Sequence, residues 1–117
     1  MLKYLTMLVV LLALTTAHAA EENLAIDGKK FMDLCNTTDQ KMLAVCASFT
    51  LGVSDTLAVW RALHPNTARV CIPSAVQLNQ MIDVGLDYVQ RFPAERHLRA
   101  ARLLLVAFTD AWPCKKR

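Results

Sequence analysis

The chain has 117 residues, of which 55% are hydrophobic and 20% charged, with 13 Lys and Arg against 10 Asp and Glu for a formal charge of +3. That length supports one domain and a modest core. So mild a positive balance does not point to nucleic acid, whose binders gather basic residues on one face.

The first residues read as an export signal. Lys3 supplies a basic start, Leu5 to Leu14 is an uncharged apolar run, and Ala17-His18-Ala19 places small residues before Ala20. That order is the pattern of a cleavable signal peptide over residues 1–19. A spanning helix needs about 20 apolar residues, and this run stops short of that. No later stretch reads as long and charge-free enough to span, so no membrane contact is expected after cleavage. The working protein is then a single domain over residues 20–117 outside the cytoplasm.

Four helical segments follow. Asp27 is placed to cap a short helix from Gly28 to Leu34, with Phe31, Leu34 and Cys35 on one face. Asn36-Thr37-Thr38-Asp39 interrupts it, and Thr37 with Gln40 matches a capping box, so a second helix should start near Thr38. It runs to about Leu63, with Met42, Cys46, Phe49, Val53, Leu57 and Trp60 recurring at steps of three or four. Gly52 in its middle costs ~1 kcal/mol against Ala and so suggests close packing or a bend. His64-Pro65-Asn66-Thr67 is a turn. Cys71-Ile72-Pro73 is extended, and Ser74 with Gln77 offers another capping box for a third helix over Ala75 to Arg91. Its inward residues are Leu78, Met81, Ile82, Gly85, Val89 and Phe92. Pro93 ends it. The fourth helix is expected from Ala94 to Ala111, with Leu98, Ala101, Leu105, Phe108 and Ala111 inward, before Trp112-Pro113-Cys114. No segment alternates with the period of a strand. The fold class is all-α, a small disulfide-stapled bundle of about four helices.

Cys35, Cys46, Cys71 and Cys114 all follow the signal. An even cysteine count in a short exported chain implies two disulfides, with three pairings open. A zinc site is disfavoured because no C-x2-C pair occurs and His64 and His97 stand at no ligand-like spacing. On one continuous helix Cys35 and Cys46 would lie ~16 Å apart, but the break at Thr37 lets a hairpin bring them together. Cys71 precedes the third helix and Cys114 follows the fourth, ends that an antiparallel pair sets side by side. The favoured pairing is therefore Cys35–Cys46 and Cys71–Cys114.

A search for chemistry comes out empty. There is no G-x-S-x-G, no H-E-x-x-H and no glycine-rich phosphate loop, and oxidised cysteines are not nucleophiles. Asp83 and Asp87 share a helix face, which is more often solvation than catalysis. Asn36-Thr37-Thr38 fits the glycosylation pattern but coincides with a cap. No enzyme activity, metal or cofactor is expected. A stapled helical domain of this kind is a binding protein that recognises through its loops. The candidates are His64, Asn66 and Arg69 in one loop, and Arg91, Phe92, Glu95 and Arg96 at the corner after the third helix.

The motif order supplies more. Gly28, Phe31 and Cys35 are followed by V-C-A-S-F-T-L-G-V-S-D (Val45 to Asp55), then C-I-P (Cys71 to Pro73), Phe92-Pro93 and W-P-C (Trp112 to Cys114). This resembles the Rap/Tai family of type VI secretion immunity proteins, over about Gly28 to Cys114. The four cysteines match the family's, Gly52 and Asp55 match its G-x-x-D, and Pro73 and Pro113 fall in its C-I-P and P-C motifs. Phe49 stands where a Tyr is common, and Ser74-Ala75-Val76-Gln77 departs from a segment that often carries Gly and Thr. The resemblance implies a periplasmic, often dimeric inhibitor that blocks the active-site cleft of a peptidoglycan-cleaving amidase effector. The alternative is a periplasmic acid-stress chaperone or another envelope binding protein, suggested by the small helical architecture and the high apolar content.

Overall fold

The computed structural model describes residues 25–116 together with Met1 and Tyr4. Nearly all of the expected signal lies outside the described residues. From Gly28 onward the described residues form four α-helices, α1 (Gly28–Cys35), α2 (Gln40–Leu63), α3 (Leu78–Arg91) and α4 (Ala100–Ala111), with one 3-10 turn at Pro93–Glu95. Among the described residues no strand forms, and extended pairing is limited to the isolated contacts Asp27 with Arg99 and Val70 with Pro113.

The core is built where α1 lies across the antiparallel pair α3 and α4. Phe31, Val89, Ala100, Leu103, Leu104, Ala107 and Phe108 are almost wholly buried there. The ring of Phe31 also meets Phe49 of α2, with centroids 6.1 Å apart. Gly85 of α3 makes this crossing possible. A Cβ built on it would collide with Leu104 and come within 3.3 Å of the Phe31 ring. Overpacking of this kind costs 1–3 kcal/mol, more than the ~1 kcal/mol an alanine gains from helix propensity. Gly85→Ala is therefore expected to lower the urea midpoint. Gly52→Ala, where nothing lies within 4 Å of the added Cβ, is expected to raise it.

The local signals decide the ends of the helices, with three corrections. Asp27 caps α1 as read, its Oδ1 accepting from the Lys30 amide at 2.7 Å. At α2 the cap is Asp39 rather than Thr37, with Oδ1 accepting from Lys41 and Met42 amides at 2.8 and 3.1 Å. A carboxylate at a helix N-terminus faces the positive end of the dipole, which a hydroxyl cannot match. Thr37 instead accepts from the Asp39 amide and shapes the turn before it.

The third helix starts at Leu78 rather than Ala75. The Val76 amide donates to the Pro73 carbonyl at 3.0 Å, so Ser74 sits in a turn, and Gln80 reaches back to the Gln77 amide at 2.8 Å. The fourth starts at Ala100 rather than Ala94. Residues 96–98 cannot coil because their carbonyls are taken by another part of the chain: Gly28 donates to Leu98 and Lys29 to Arg96. Ala100 in turn donates to Ile26. With the later start, Ala100, Leu103, Leu104, Ala107 and Phe108 turn inward, while Ala101, Leu105 and Ala111 face solvent.

The second helix is the outlier. Its 24 residues make it about 36 Å long, against about 18 Å for α4, so it overruns the core. Only Cys46, Thr50 and Ser54 are buried in it, with Phe49, Val53 and Leu57 packed partly against the core. Trp60, expected inward, is 54% exposed, and Phe92 at the end of α3 is 41% exposed. By length and composition α2 is also apolar enough to cross a membrane, with a mean hydropathy of 1.6 over 18 residues. That corrects the expectation that no stretch after the signal reaches this threshold. Asp55 is the one charge in the helix between Lys41 and Arg61, too few to mark a polar side.

Two disulfides staple the ends. Cys35–Cys46 joins α1 to α2 with the Cα atoms 5.3 Å apart. Cys71–Cys114 joins the α2–α3 loop to the third residue after α4, with the Cα atoms 4.9 Å apart. Around it Cys71 donates to Trp112 and Cys114 donates to Arg69, so the chain ends are sewn together by backbone as well.

Candidate partner-binding surface

The two groups of candidate residues lie at opposite ends of the α3–α4 pair. Val70 pairs with Pro113 beyond the C-terminus of α4, whereas Arg91 to Arg96 precede its N-terminus. The structure does not bring them into one site.

At the first end, His64 closes α2 by donating its amide to the Trp60 carbonyl, and its ring stacks on Trp60 with centroids 4.0 Å apart. The His64 carbonyl accepts from the Thr67 and Ala68 amides, which fixes the turn around Pro65 and Asn66. His64, Asn66 and Arg69 are exposed. Between this loop, the end of α2 and the residues after α4 runs an open cleft of about 1330 Å³. Arg61, Arg69, Lys115 and Lys116 line it, and among the described residues no carboxylate does. Arg61, Lys115 and Lys116 were not singled out from the sequence. The disulfide and the backbone hydrogen bond from Cys114 to Arg69 bring the basic tail to this edge, a proximity that sequence spacing does not show.

At the second end the side chains are busy inside the fold. Arg96 donates from Nε to the Val89 carbonyl and from Nη2 to the Gln90 carbonyl, at 3.0 and 3.1 Å, and so satisfies the open C-terminus of α3. Glu95 accepts from the Tyr88 hydroxyl at 3.0 Å. Arg91 pairs with Asp87 at 2.7 Å and lies 5.5 Å from the centre of the Phe92 ring, which stacks in turn on Tyr88. Of the four, only Phe92 and Arg91 present much free surface.

Burial, and next the hydrogen bond to Glu95, push the Tyr88 hydroxyl above its ordinary value of about 10; Asp110 adds to this and Arg91 opposes it. A raised value means the folded state holds the proton more tightly than the unfolded state. The contribution to stability is thus complete below pH ~10 and is lost as pH rises through the folded value. Tyr88 is the one tyrosine outside the expected signal. Phenolate absorbance of the cleaved protein is expected to titrate later in the folded than in the urea-unfolded state, and Tyr88→Phe to flatten the alkaline loss of stability.

Among the described residues no three His, Cys, Asp or Glu side chains gather as metal ligands, and every cysteine is in a disulfide. What the fold offers is an exposed basic loop edge and an apolar helix face on a rigid, stapled frame. The chain belongs to the family of Rap1a immunity proteins, whose sequence model matches residues 27–114, well over half of it. Immunity proteins of this family are inhibitors of a cognate effector and not enzymes. No curated protein and no solved structure matches the chain significantly.

Proposed function

We propose that this protein is exported by residues 1–19 to the periplasm, where it binds and inhibits a peptidoglycan-cleaving amidase effector delivered by type VI secretion. The observation that carries this reading is membership in the immunity family across the whole folded domain. Two disulfides fit an oxidising compartment, the one in which peptidoglycan is attacked. Inhibition needs no chemistry from the inhibitor. It needs a rigid projection that fills the amidase cleft and excludes substrate. The loop from His64 to Arg69 suits that role better than the Arg91–Arg96 corner, because His64, Asn66 and Arg69 are exposed while Glu95 and Arg96 are committed internally. The flanking Arg61, Arg69, Lys115 and Lys116 would favour an effector surface rich in carboxylates.

The protein acts as a homodimer, in keeping with its family resemblance, and stays in the aqueous periplasm. Its α2 helix is tied to α1 by Cys35–Cys46 and packs one face on the core, which suits a protein contact and not a bilayer. The exposed apolar side of α2 also favours a second reading, client binding by an acid-stress chaperone. That reading requires protection of a test protein from aggregation at low pH.

Co-expression tests the first reading. Cells exporting a peptidoglycan amidase effector should survive when the full chain is made, if that effector is the cognate one. They should lyse when residues 1–19 are deleted, since the inhibitor then never meets its target. Survival without export would refute the periplasmic account.

A further inference from the structure

The two disulfides lie in opposite electrostatic surroundings. Within four residues of Cys35 stand the carboxylates Asp33 and Asp39 and no cation, and its partner Cys46 is 1% exposed. Cys71 and Cys114 are both half-buried and line the basic cleft, together with the exposed Arg61, Arg69, Lys115 and Lys116. Asp110, four residues before Cys114, does not line the cleft and acts on the Tyr88 hydroxyl instead. Among the described residues, then, no carboxylate in the cleft offsets its four cations.

A cleft of one charge sign concentrates ligands of the other. A disulfide in its wall adds a reaction that an ordinary anion site lacks. Thiolates open disulfides, at a rate set by access of the incoming thiolate and by the stability of the one that leaves. Cations serve both ends: they gather an anionic thiolate beside the bridge, and they stabilise the departing cysteine sulfur.

We propose that Cys71–Cys114 is a thiol-exchange site for a small thiol that carries carboxylates, held in the cleft by Arg61, Arg69, Lys115 and Lys116. The incoming thiolate sulfur bonds to one cysteine sulfur as the Cys71–Cys114 bond breaks. The other cysteine leaves with the electron pair as a thiolate. A second thiolate then displaces the first as a small-molecule disulfide and leaves both cysteines reduced. Two electrons pass from the two thiols to the bridge, and no other reductant takes part. With the covalent link gone, the α2–α3 loop is held to the residues after α4 by the backbone bonds from Cys71 to Trp112 and from Cys114 to Arg69. The cations on the two walls then repel one another, and the cleft opens. The basic edge is thereby made sensitive to thiol.

The test follows both bridges in one oxidised chain lacking residues 1–19, so that the intrinsic reactivity of each thiol cancels in the ratio of the two opening rates. Glutathione, which carries two carboxylates and one ammonium besides its thiolate, is compared with cysteamine, which carries an ammonium alone. Exchange is stopped by alkylation at timed intervals, and the opened cysteines are mapped by mass spectrometry. Glutathione is expected to open Cys71–Cys114 first, with a rate ratio over Cys35–Cys46 about tenfold greater than cysteamine gives. That excess should vanish in about 1 M sodium chloride, where charges are screened within a few ångströms. It should also vanish in the triple variant Arg61→Gln, Lys115→Gln, Lys116→Gln. Glutathione opening Cys35–Cys46 first, or equal ratios for the two thiols, overturns the proposal, as does an excess that survives both salt and the triple variant. No readout involves the amidase, so the outcome is independent of the inhibitor reading.

Discussion

Replacing Cys71 and Cys114 together by alanine should lower the free energy of unfolding by about 4 kcal/mol, and replacing Cys35 and Cys46 together should lower it by about 3 kcal/mol. The ranking follows from chain entropy, since the first bridge closes a separation of 43 residues and the second only 11. Either loss is a large part of the 5–15 kcal/mol that holds a domain of this size. The longer bridge has a second consequence. It fixes Arg69 and the residues after α4 on either side of the basic cleft, so its loss should release the loop that the proposed inhibitor presents. Urea unfolding of both double variants under non-reducing conditions checks the ranking. A greater loss for the short bridge would show that native contacts, not loop closure, set the effect.

Phe31→Ala should cost about 3–5 kcal/mol, the range for emptying a fully buried aromatic site. Phe31 is the contact through which α1 reaches all three other helices: it is buried in the α3–α4 core, lies under Gly85 and faces Phe49 of α2. The cavity cannot collapse easily, because α1 is pinned at one end to residues 96–98 and at the other by Cys35–Cys46. The neighbouring glycine gives a control. On the Phe31→Ala background, Gly85→Ala should cost less than on wild type, since the tight contact with the Phe31 ring has gone and Leu104 has room to move. Equal costs in the two backgrounds would mean that the Phe31 ring is not what constrains Gly85.

What could be read in the sequence was what the chain decides locally. Asp27 caps α1 within three residues of itself, and the break at residues 36–39 is written in polar turn formers. Positions of the cysteines relative to helix ends were enough to favour the pairing found in the structure. The misreadings arose where distant parts of the chain intervene. Residues 94–99 look like a helix after Pro93, but residues 26–29 bind their backbone and forbid it. The segment from Ala100 to Phe108 is apolar nearly all round, so the choice of its inner face fell to tertiary packing. Arg96 looked like an anchor for a partner because it is charged and follows a corner; its return to the Val89 and Gln90 carbonyls carries no sequence mark. The outer side of α2 was legible in principle, as the complement of the inward positions at Cys46, Phe49, Val53 and Leu57. It went unread because one apolar face already satisfied the periodicity.

As the proposed inhibitor, this domain neutralises an amidase by occupying its cleft. The test is to titrate the purified, oxidised protein lacking residues 1–19 into the amidase effector that it protects against in co-expression, while following release of peptidoglycan fragments. Cleavage is expected to stop near one protomer per enzyme and to resume when Arg61 and Arg69 are both changed to Glu. Undiminished cleavage in the presence of excess folded protein would contradict it.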